Sequence, residues 1–262
     1  HHVDTLSEEV HIAMVGKYTD LSDAYLSVIK SLQHASMAVN RKLVIDWIEA
    51  SHLEPSWAKE SSEEHSAAWD LLQGAHGILV PGGFGDRGVE GKILAAHHAR
   101  TKEIPYLGIC LGLQVATIEF CRNVLSLEGA NSTEFEDNPE HAAVVFMPEI
   151  SKTHLGGTMR LGSRPTLWQV EECAIRSLYG PGDAVDERHR HRYEVNPDLI
   201  ERIEAAGLVF VGKDESGQRC EIFELTGHPY YVGVQYHPEF KSRPNRPSPP
   251  FLGLLQAAAK RT

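Results

Sequence analysis

Short apolar segments alternate with helical patterns through the first half of the chain, and this alternation narrows the available folds more than any other feature. The predicted strands span residues 10–15, 43–47, 77–81 and 104–109. The predicted helices span residues 22–35, 63–72 and 88–100. Strands joined through helices pair in parallel, and the helices then cover both faces of the sheet. The sequence therefore predicts a three-layer α/β fold with a mostly parallel central sheet flanked by helices.

The pattern changes from about Ala142 onward, where short β-like segments replace the alternation. These segments predict strands at residues 144–147, 157–161, 167–170, 208–212, 220–224 and 231–235. One helix at 197–206 interrupts the series, and a proline-rich extended segment at 242–250 precedes a last helix at 252–260. We expect these strands to add β structure in the C-terminal half of the fold.

Length and composition limit the classes of protein to consider. With 262 residues and 42% hydrophobic content the chain can bury a full core. The opening pair His1-His2 resembles the remnant of an expression tag, so residues 3–262 are predicted to form a single domain. A net charge of −11 argues against a nucleic-acid binder, because phosphate contacts need a basic surface. The four cysteines form no CxxC pair, which favours a reducing cytoplasmic setting. No apolar run is long enough to cross a membrane.

A cysteine between two glycines marks one strand-to-helix turn, in the motif Gly108-Ile109-Cys110-Leu111-Gly112. Glycines suit such a turn because a Cβ beside the nucleophile would clash with the strand or block the substrate. An imidazole at His237 can activate the thiol, and Glu239 would point the same way on an extended segment and orient the ring. Both segments follow predicted strands, at the edge where open α/β sheets bind ligands. The set predicts a nucleophile, a general base and an orienting carboxylate for acyl transfer through a thioester.

The tetrahedral intermediate of such a reaction needs backbone N–H donors. Candidates are Leu111, directly after the nucleophile, and the glycine-rich turn 81–85, in which Gly83 is the predicted donor. The spacing Gly83-x-Gly85-x-x-Gly88 also matches a dinucleotide-binding fingerprint, but the acidic residue expected after the next strand is missing. We interpret the glycines as an oxyanion loop, with nicotinamide binding as the lesser alternative. The sequence has no Walker A motif for ATP hydrolysis.

Three blocks in sequence order resemble the signatures of class I glutamine amidotransferases, at residues 81–83, 108–112 and 237–239. Further stretches are similar to one branch of that family, the C-terminal glutaminase domains of CTP synthases, at residues 16–18, 131–135, 188–196 and 242–250. The resemblance covers nearly the whole chain. It implies an enzyme that hydrolyses L-glutamine to glutamate and ammonia.

The resemblance also implies a role for each matched residue. Cys110 would be the nucleophile, His237 the general base and acid, and Glu239 its orienting partner. The implied substrate contacts are Gly82, Phe84, Gln114, Glu134, Arg192 and Tyr193. A cationic Arg192 and an acidic Glu134 suit glutamine, which carries a carboxylate and an ammonium.

The family further implies partners outside this chain. An N-terminal synthetase domain would use ATP and Mg²⁺ to activate UTP and capture the ammonia as CTP, with GTP as an allosteric activator. The glutaminase domain itself would need no cofactor or metal, and the full-length enzyme would be a homo-oligomer.

Several alternatives stay open at this stage. Residues 188–192 alternate between arginine and histidine. If they form a solvated edge strand, the three arginines would share one face of it, and His189 and His191 would lie on the other face. The arginine face could bind nucleotide phosphate or dock the synthetase domain, whereas a metal site lacks further ligands. As a whole, the chain could also be another amidotransferase, a γ-glutamyl hydrolase, or an inactive nucleotide-binding module.

Overall fold

The computed structural model describes residues 6–17, 25–83, 85–148 and 159–262. Its strands are β1 (Glu9–Gly16), β2 (Lys42–Glu49), β3 (Gly77–Val80), β4 (Tyr106–Ile109), β5 (Ala130–Ser132), β6 (His141–Phe146), β7 (Arg160–Trp168), β8 (Ala184–His191), β9 (Tyr193–Val195), β10 (Leu208–Lys213), β11 (Cys220–Leu225) and β12 (Tyr231–Val234). Its α-helices are α1 (Leu26–Ala38), α2 (Trp57–Glu60), α3 (Ser62–Gly74), α4 (Val89–Thr101), α5 (Leu111–Asn123), α6 (Ala174–Tyr179), α7 (Ile200–Ala205) and α8 (Pro249–Ala258). Short 3₁₀ turns occupy Ala50–Leu53, Pro197–Leu199, Pro238–Lys241 and Ala259–Arg261.

A nine-stranded open sheet in the order β2-β1-β3-β4-β12-β11-β10-β7-β8 forms the centre of the fold. The first five strands of that order pair in parallel, and the remaining strands extend the sheet with antiparallel pairs. A small second sheet joins β5, β6 and β9. The β segments of the C-terminal half therefore mostly lengthen the central sheet, and β12 enters its parallel part beside β4.

Helices cover both faces of the sheet, as the strand and helix alternation predicts. On one face α3, α4 and α5 bury a cluster that includes Leu72, Ile93 and Leu113. On the other face α1 and α8 bury a second cluster that includes Leu32 and Leu254. The predicted three-layer α/β architecture is confirmed.

Most predicted elements correspond to observed ones, with shifted ends. The predicted helix 22–35 is observed as α1 from Leu26 onward, and residues 18–24 lie outside the described part of the chain. The segments predicted at 157–161 and 167–170 both fall in the single strand β7. Residues 157 and 158, where the first of these segments was predicted to begin, lie outside the described part of the chain. The short elements α2, α6, β5 and β9 were not predicted, because each is too brief to establish a periodic pattern.

Within the described ranges, no helix combines the length and the apolar character needed to span a bilayer.

Candidate active site

Cys110 occupies the turn between β4 and α5 in a conformation that side chains rarely adopt. Its φ is 52° and its ψ −101°, in the positive-φ region that is costly for any residue with a Cβ. The backbone N–H of Cys110 donates to the carbonyl of Val234 on β12 at 2.7 Å. This bond and the two flanking elements hold the strained residue in place. The side chain is 6% exposed.

The glycines on either side of Cys110 allow the strand and helix to approach each other. A Cβ at Gly108 would lie 2.5 Å from the carbonyl carbon and oxygen of Gly112. A Cβ at Gly112 would overlap the carbonyl oxygen of Val80 on β3. Since backbone atoms cannot yield as a side chain can, the turn needs glycine at both positions.

His237 and Glu239 follow β12 and form a hydrogen-bonded pair. The Nδ1 of His237 lies 2.8 Å from Oε1 of Glu239, and the backbone N–H of His237 donates to the carbonyl of Arg188 on β8 at 2.8 Å. The prediction that this segment is extended was wrong, because a 3₁₀ turn begins at Pro238. The side chains meet through that turn, which also places the backbone carbonyl of Glu239 3.3 Å from Oγ of Ser31.

The pKa of His237 is raised to about 10. Burial alone would lower it, but the hydrogen bonds and charges of Cys110 and Glu239 outweigh the burial. The imidazole is therefore protonated at neutral pH and can donate a hydrogen bond to sulfur.

The glycine-rich turn after β3 lies against the same pair of side chains. A Cβ at Gly82 would lie 2.8 Å from Cε1 of His237, and one at Gly83 would lie 3.7 Å from Cδ2 of Leu111. Leu111 is the first residue of α5, so its N–H has no acceptor within the helix. Phe84, a predicted substrate contact, lies outside the described residues.

A buried lysine lies beside this turn. The Nζ of Lys92 would lie 3.7 Å from a Cβ at Gly83, and the residue is only 3% exposed. Burial, together with the charge of Lys17, lowers the pKa of Lys92 to about 8, although Glu49 partly offsets the shift. A lysine amino group therefore lies beside this turn at Gly83.

A cleft of about 40 Å³ opens beside the cysteine. Its lining residues are Gly83, Cys110, Leu111, Gln114, Glu134, Met159, Arg190, His191, Arg192 and Tyr193. Every predicted oxyanion and substrate-binding residue except Gly82 and Phe84 is among them, and Gly82 lies directly behind, against His237. The carboxyl edge of the sheet thus brings together segments that are more than 100 residues apart in sequence.

Charges of opposite sign lie in this cleft at Glu134 and Arg192. Partial burial raises the pKa of the Glu134 carboxyl, and the charge of Arg192 offsets part of the shift. Gln114 is more enclosed, and its Nε2 donates to the Tyr193 carbonyl at 2.8 Å. The cleft therefore offers a cation, a carboxylate and an amide oxygen within reach of one small ligand.

The arginine and histidine run forms β8 at the edge of the large sheet, and its side chains alternate as predicted. Arg188 and Arg190 are exposed, whereas His189 and His191 are buried with 2.9 Å between Nδ1 of the first and Nε2 of the second. Burial holds the pKa of both histidines well below the usual value, and the nearby charge of Arg160 lowers it further. Over the described ranges, no group of three or more histidine, cysteine or acidic side chains is arranged to hold a metal ion.

The model of one protein family, glutamine amidotransferase class-I, matches residues 20–257. The chain belongs to that family. A solved structure described as the Trypanosoma brucei CTPS glutaminase domain with bound acivicin is 39% identical, with a TM-score of 0.86 over 96% of this chain and 94% of that one. The resemblance noted from sequence is thereby confirmed for this amidotransferase domain.

Curated relatives give the same result at higher identity. The CTP synthase of Dictyostelium discoideum is 62% identical over 256 residues, which cover 96% of this chain and 45% of that protein. CTP synthase 2 of Saccharomyces cerevisiae is 57% identical over 263 residues, which cover 98% of this chain and 46% of that protein. The amidotransferase domain therefore spans a little under half the length of these relatives.

Sequence reasoning missed one residue that contacts Cys110, the predicted nucleophile. The Nε2 of Gln235 lies 3.6 Å from Sγ of Cys110, and Gln235 is fully buried. A polar residue that ends an apolar strand two positions before His237 is the signal that could have identified it.

Proposed function

We propose that this domain hydrolyses L-glutamine to glutamate and ammonia through a thioester on Cys110. The observation that carries the proposal is the interacting set of Cys110, His237 and Glu239, in which Cys110 lines a cleft that also holds Glu134 and Arg192. The similarity to a CTPS glutaminase domain supports it.

In the first half of the reaction the sulfur of Cys110 attacks the side-chain amide carbon of glutamine. The new S–C bond pushes the carbonyl electron pair onto oxygen, where the N–H groups of Leu111 and Gly83 can donate to it. The C–N bond then breaks, and His237 supplies the proton that lets nitrogen leave as ammonia. A γ-glutamyl thioester remains on the enzyme.

In the second half a water molecule gives a proton to His237 as its oxygen attacks the thioester. The same donors hold the oxyanion, and the C–S bond breaks to release glutamate and restore the cysteine. Glu239 keeps the imidazole in the orientation that both proton transfers need, because its carboxylate accepts from Nδ1.

The walls of the cleft account for selection of glutamine. Arg192 can bind the α-carboxylate, and Glu134 can bind the α-ammonium. Gln114 donates through Nε2 to a backbone carbonyl and to Gln235, so its Oε1 is the atom that is left to accept from a ligand.

We extend the proposal to the longer protein on the basis of its relatives' names. A synthetase domain N-terminal to this one would use ATP and Mg²⁺ to activate UTP and convert it to CTP with the released ammonia. GTP would activate the glutaminase step, the assembly would be a homo-oligomer, and the enzyme would act in the cytoplasm.

Labelling with a glutamine-mimicking diazo-ketone, followed by intact-mass measurement and peptide mapping, tests the proposal with a single chemical event. We expect one adduct on Cys110 that excess glutamine suppresses. Cys173 is an internal control, because it is only half-buried and burial raises its pKa to about 11. Labelling of Cys173 alone, or labelling that glutamine does not suppress, would contradict the proposal.

The variant Cys110→Ala should lose glutamine hydrolysis and labelling together while it keeps its thermal unfolding transition, because only the sulfur is removed from a supported turn. Glutamine turnover in the folded variant would remove Cys110 from the role of nucleophile.

A further inference from the structure

We propose that Gln235 is the hydrogen-bond donor that stabilises the anionic sulfur of Cys110, and that Gln114 holds Gln235 in the orientation this requires. The inference rests on the proposed role of Cys110 as nucleophile. It adds a residue whose side chain acts directly on the sulfur.

The backbone fixes Gln235 beside the cysteine. Gln235 follows the last residue of β12, and its N–H donates to the carbonyl of Glu221 on β11 at 2.9 Å. The preceding residue, Val234, accepts from the N–H of Cys110 at 2.7 Å. Cys110 and Gln235 are therefore anchored to the same strand, and the side-chain amide is fully buried with Nε2 at 3.6 Å from Sγ.

A chain of hydrogen bonds determines which end of the Gln235 amide faces the sulfur. The carbonyl of Tyr193 can only accept, so Gln114 must present its NH₂ group to it, at 2.8 Å. The same NH₂ group is 3.3 Å from Oε1 of Gln235, which leaves the NH₂ group of Gln235 for Cys110. Rotating the Gln235 amide by half a turn would place its NH₂ group against the NH₂ group of Gln114 and its oxygen against the sulfur of Cys110. Only the orientation described here gives the amides of Gln114 and Gln235 a suitable partner at each contact.

The two protonation states of the sulfur have different partners. A thiol can donate to the carbonyl of Arg190, which lies 4.0 Å from Sγ, whereas a thiolate can only accept. The backbone carbonyl oxygen of Arg190 carries partial negative charge and repels a thiolate. The N–H donor from Gln235 counters that repulsion. Loss of this donor should lower the fraction of reactive thiolate at neutral pH.

Alkylation of Cys110 by iodoacetamide tests the inference without glutamine. The rate is measured by intact mass and peptide mapping between pH 6 and 9.5 for the wild-type chain, Gln235→Met and Gln235→Glu. Methionine matches the length of glutamine but cannot donate, and glutamate matches its shape but places a carboxylate against the sulfur. Gln73→Met, at an exposed position on α3, is the control.

The variants have different expected pH profiles. At pH 7 Gln235→Met should alkylate about 10- to 100-fold more slowly than wild type, the range for a hydrogen bond to a charged group, and should approach the wild-type rate at high pH, where the thiolate forms without help. Gln235→Glu should stay slower than wild type at high pH, because its own charge persists. Gln73→Met should match wild type throughout. The other titratable groups around Cys110 are the same in all these chains: His237, Glu239, Glu134, Arg190, His191 and Arg192.

A folded Gln235→Met that alkylates at the wild-type rate at pH 7 would overturn the inference, and so would parallel pH profiles for the two variants. Glutamine turnover is measured on the same samples to separate this inference from the proposed function. A wild-type chain with fast, Gln235-dependent alkylation but no diazo-ketone labelling would reject the proposed function and leave the role of Gln235 in place.

Discussion

Gly82 faces the imidazole of His237 so closely that a Cβ at Gly82 would lie 2.8 Å from Cε1 of the ring and 3.4 Å from Cβ of Cys110. The glycine thus leaves space beside Cys110 and His237, the proposed nucleophile and base, because a methyl group there would push the ring from its place beside Cys110. This relationship links the proposed oxyanion turn to the geometry of the proposed nucleophile and base.

Gly82→Ala should reduce kcat for glutamine hydrolysis by about 100-fold, the cost of a displacement of about 1 Å in a catalytic group. The thermal unfolding midpoint should change little, because the atoms nearest to the added methyl group belong to side chains and not to the backbone. Gly74→Ala is the matched control, since no atom lies within 4 Å of a Cβ at that position. Equal kcat values for the two variants would show that the ring accommodates the methyl group without loss.

Glu239→Gln should lower kcat by about 10²- to 10⁴-fold, because the amide cannot stabilise a protonated imidazole. It should also change stability with pH. The pKa of His237 is raised to about 10 in the folded chain, above its usual 6.5, so its contribution to stability is full below about pH 6.5 and is lost as pH rises toward 10. Without the carboxylate this decline should become shallower.

Urea unfolding at pH 6, 8 and 9.5 measures that effect, with Glu215→Gln, at an exposed loop position, as the control. If the stability of Glu239→Gln fell with pH as steeply as that of wild type, Glu239 would not be one of the groups that keep His237 protonated.

The layers and the site segments could be predicted because they depend on local patterns. Buried parallel strands read as apolar runs, and Cys110 and His237 lie just past two of them, where neighbouring parallel strands share one edge. The alternation on β8 was equally readable, since a period of two separates exposed Arg188 and Arg190 from buried His189 and His191.

Contacts that arise from tertiary packing could not be predicted. The 3₁₀ turn after Pro238 replaced the expected extended segment, and it brings Glu239 to His237 by a different path. Gln235 and Lys92 carried no periodic signal, because a single buried polar side chain is evident only from its neighbours. The prediction that residues 3–262 form a single domain stays a prediction.

Arg192→Ala should raise the KM for glutamine about 10- to 100-fold with little change in kcat, because a contact to the α-carboxylate serves the ground state and the transition state alike. Steady-state ammonia release measures both constants. Arg188→Ala is the control, since Arg188 is also exposed but lies over the ring of Phe240, at 5.3 Å, and not in the cleft. A lower kcat with an unchanged KM would instead assign Arg192 to a conformational role.

Glu187→Gln should stabilise the chain above neutral pH and have no such effect in acid. Burial raises the pKa of the Glu187 carboxyl to about 7, and the hydrogen bond from Tyr179 only partly offsets the burial. Between about pH 4.5 and 7 the folded chain therefore keeps a proton that the unfolded chain loses, so stability falls as pH rises through that window and the full penalty applies above it.

Glutamine keeps an acceptor for Tyr179 and carries no charge, so the variant should gain on the order of 3 kcal/mol in the free energy of unfolding at pH 8.5 and nothing at pH 4. Urea unfolding at the two pH values measures the difference, with Glu172→Gln, at an exposed position, as the control. A gain of equal size at both pH values would mean that the substitution acts through packing, because only removal of the buried charge depends on pH.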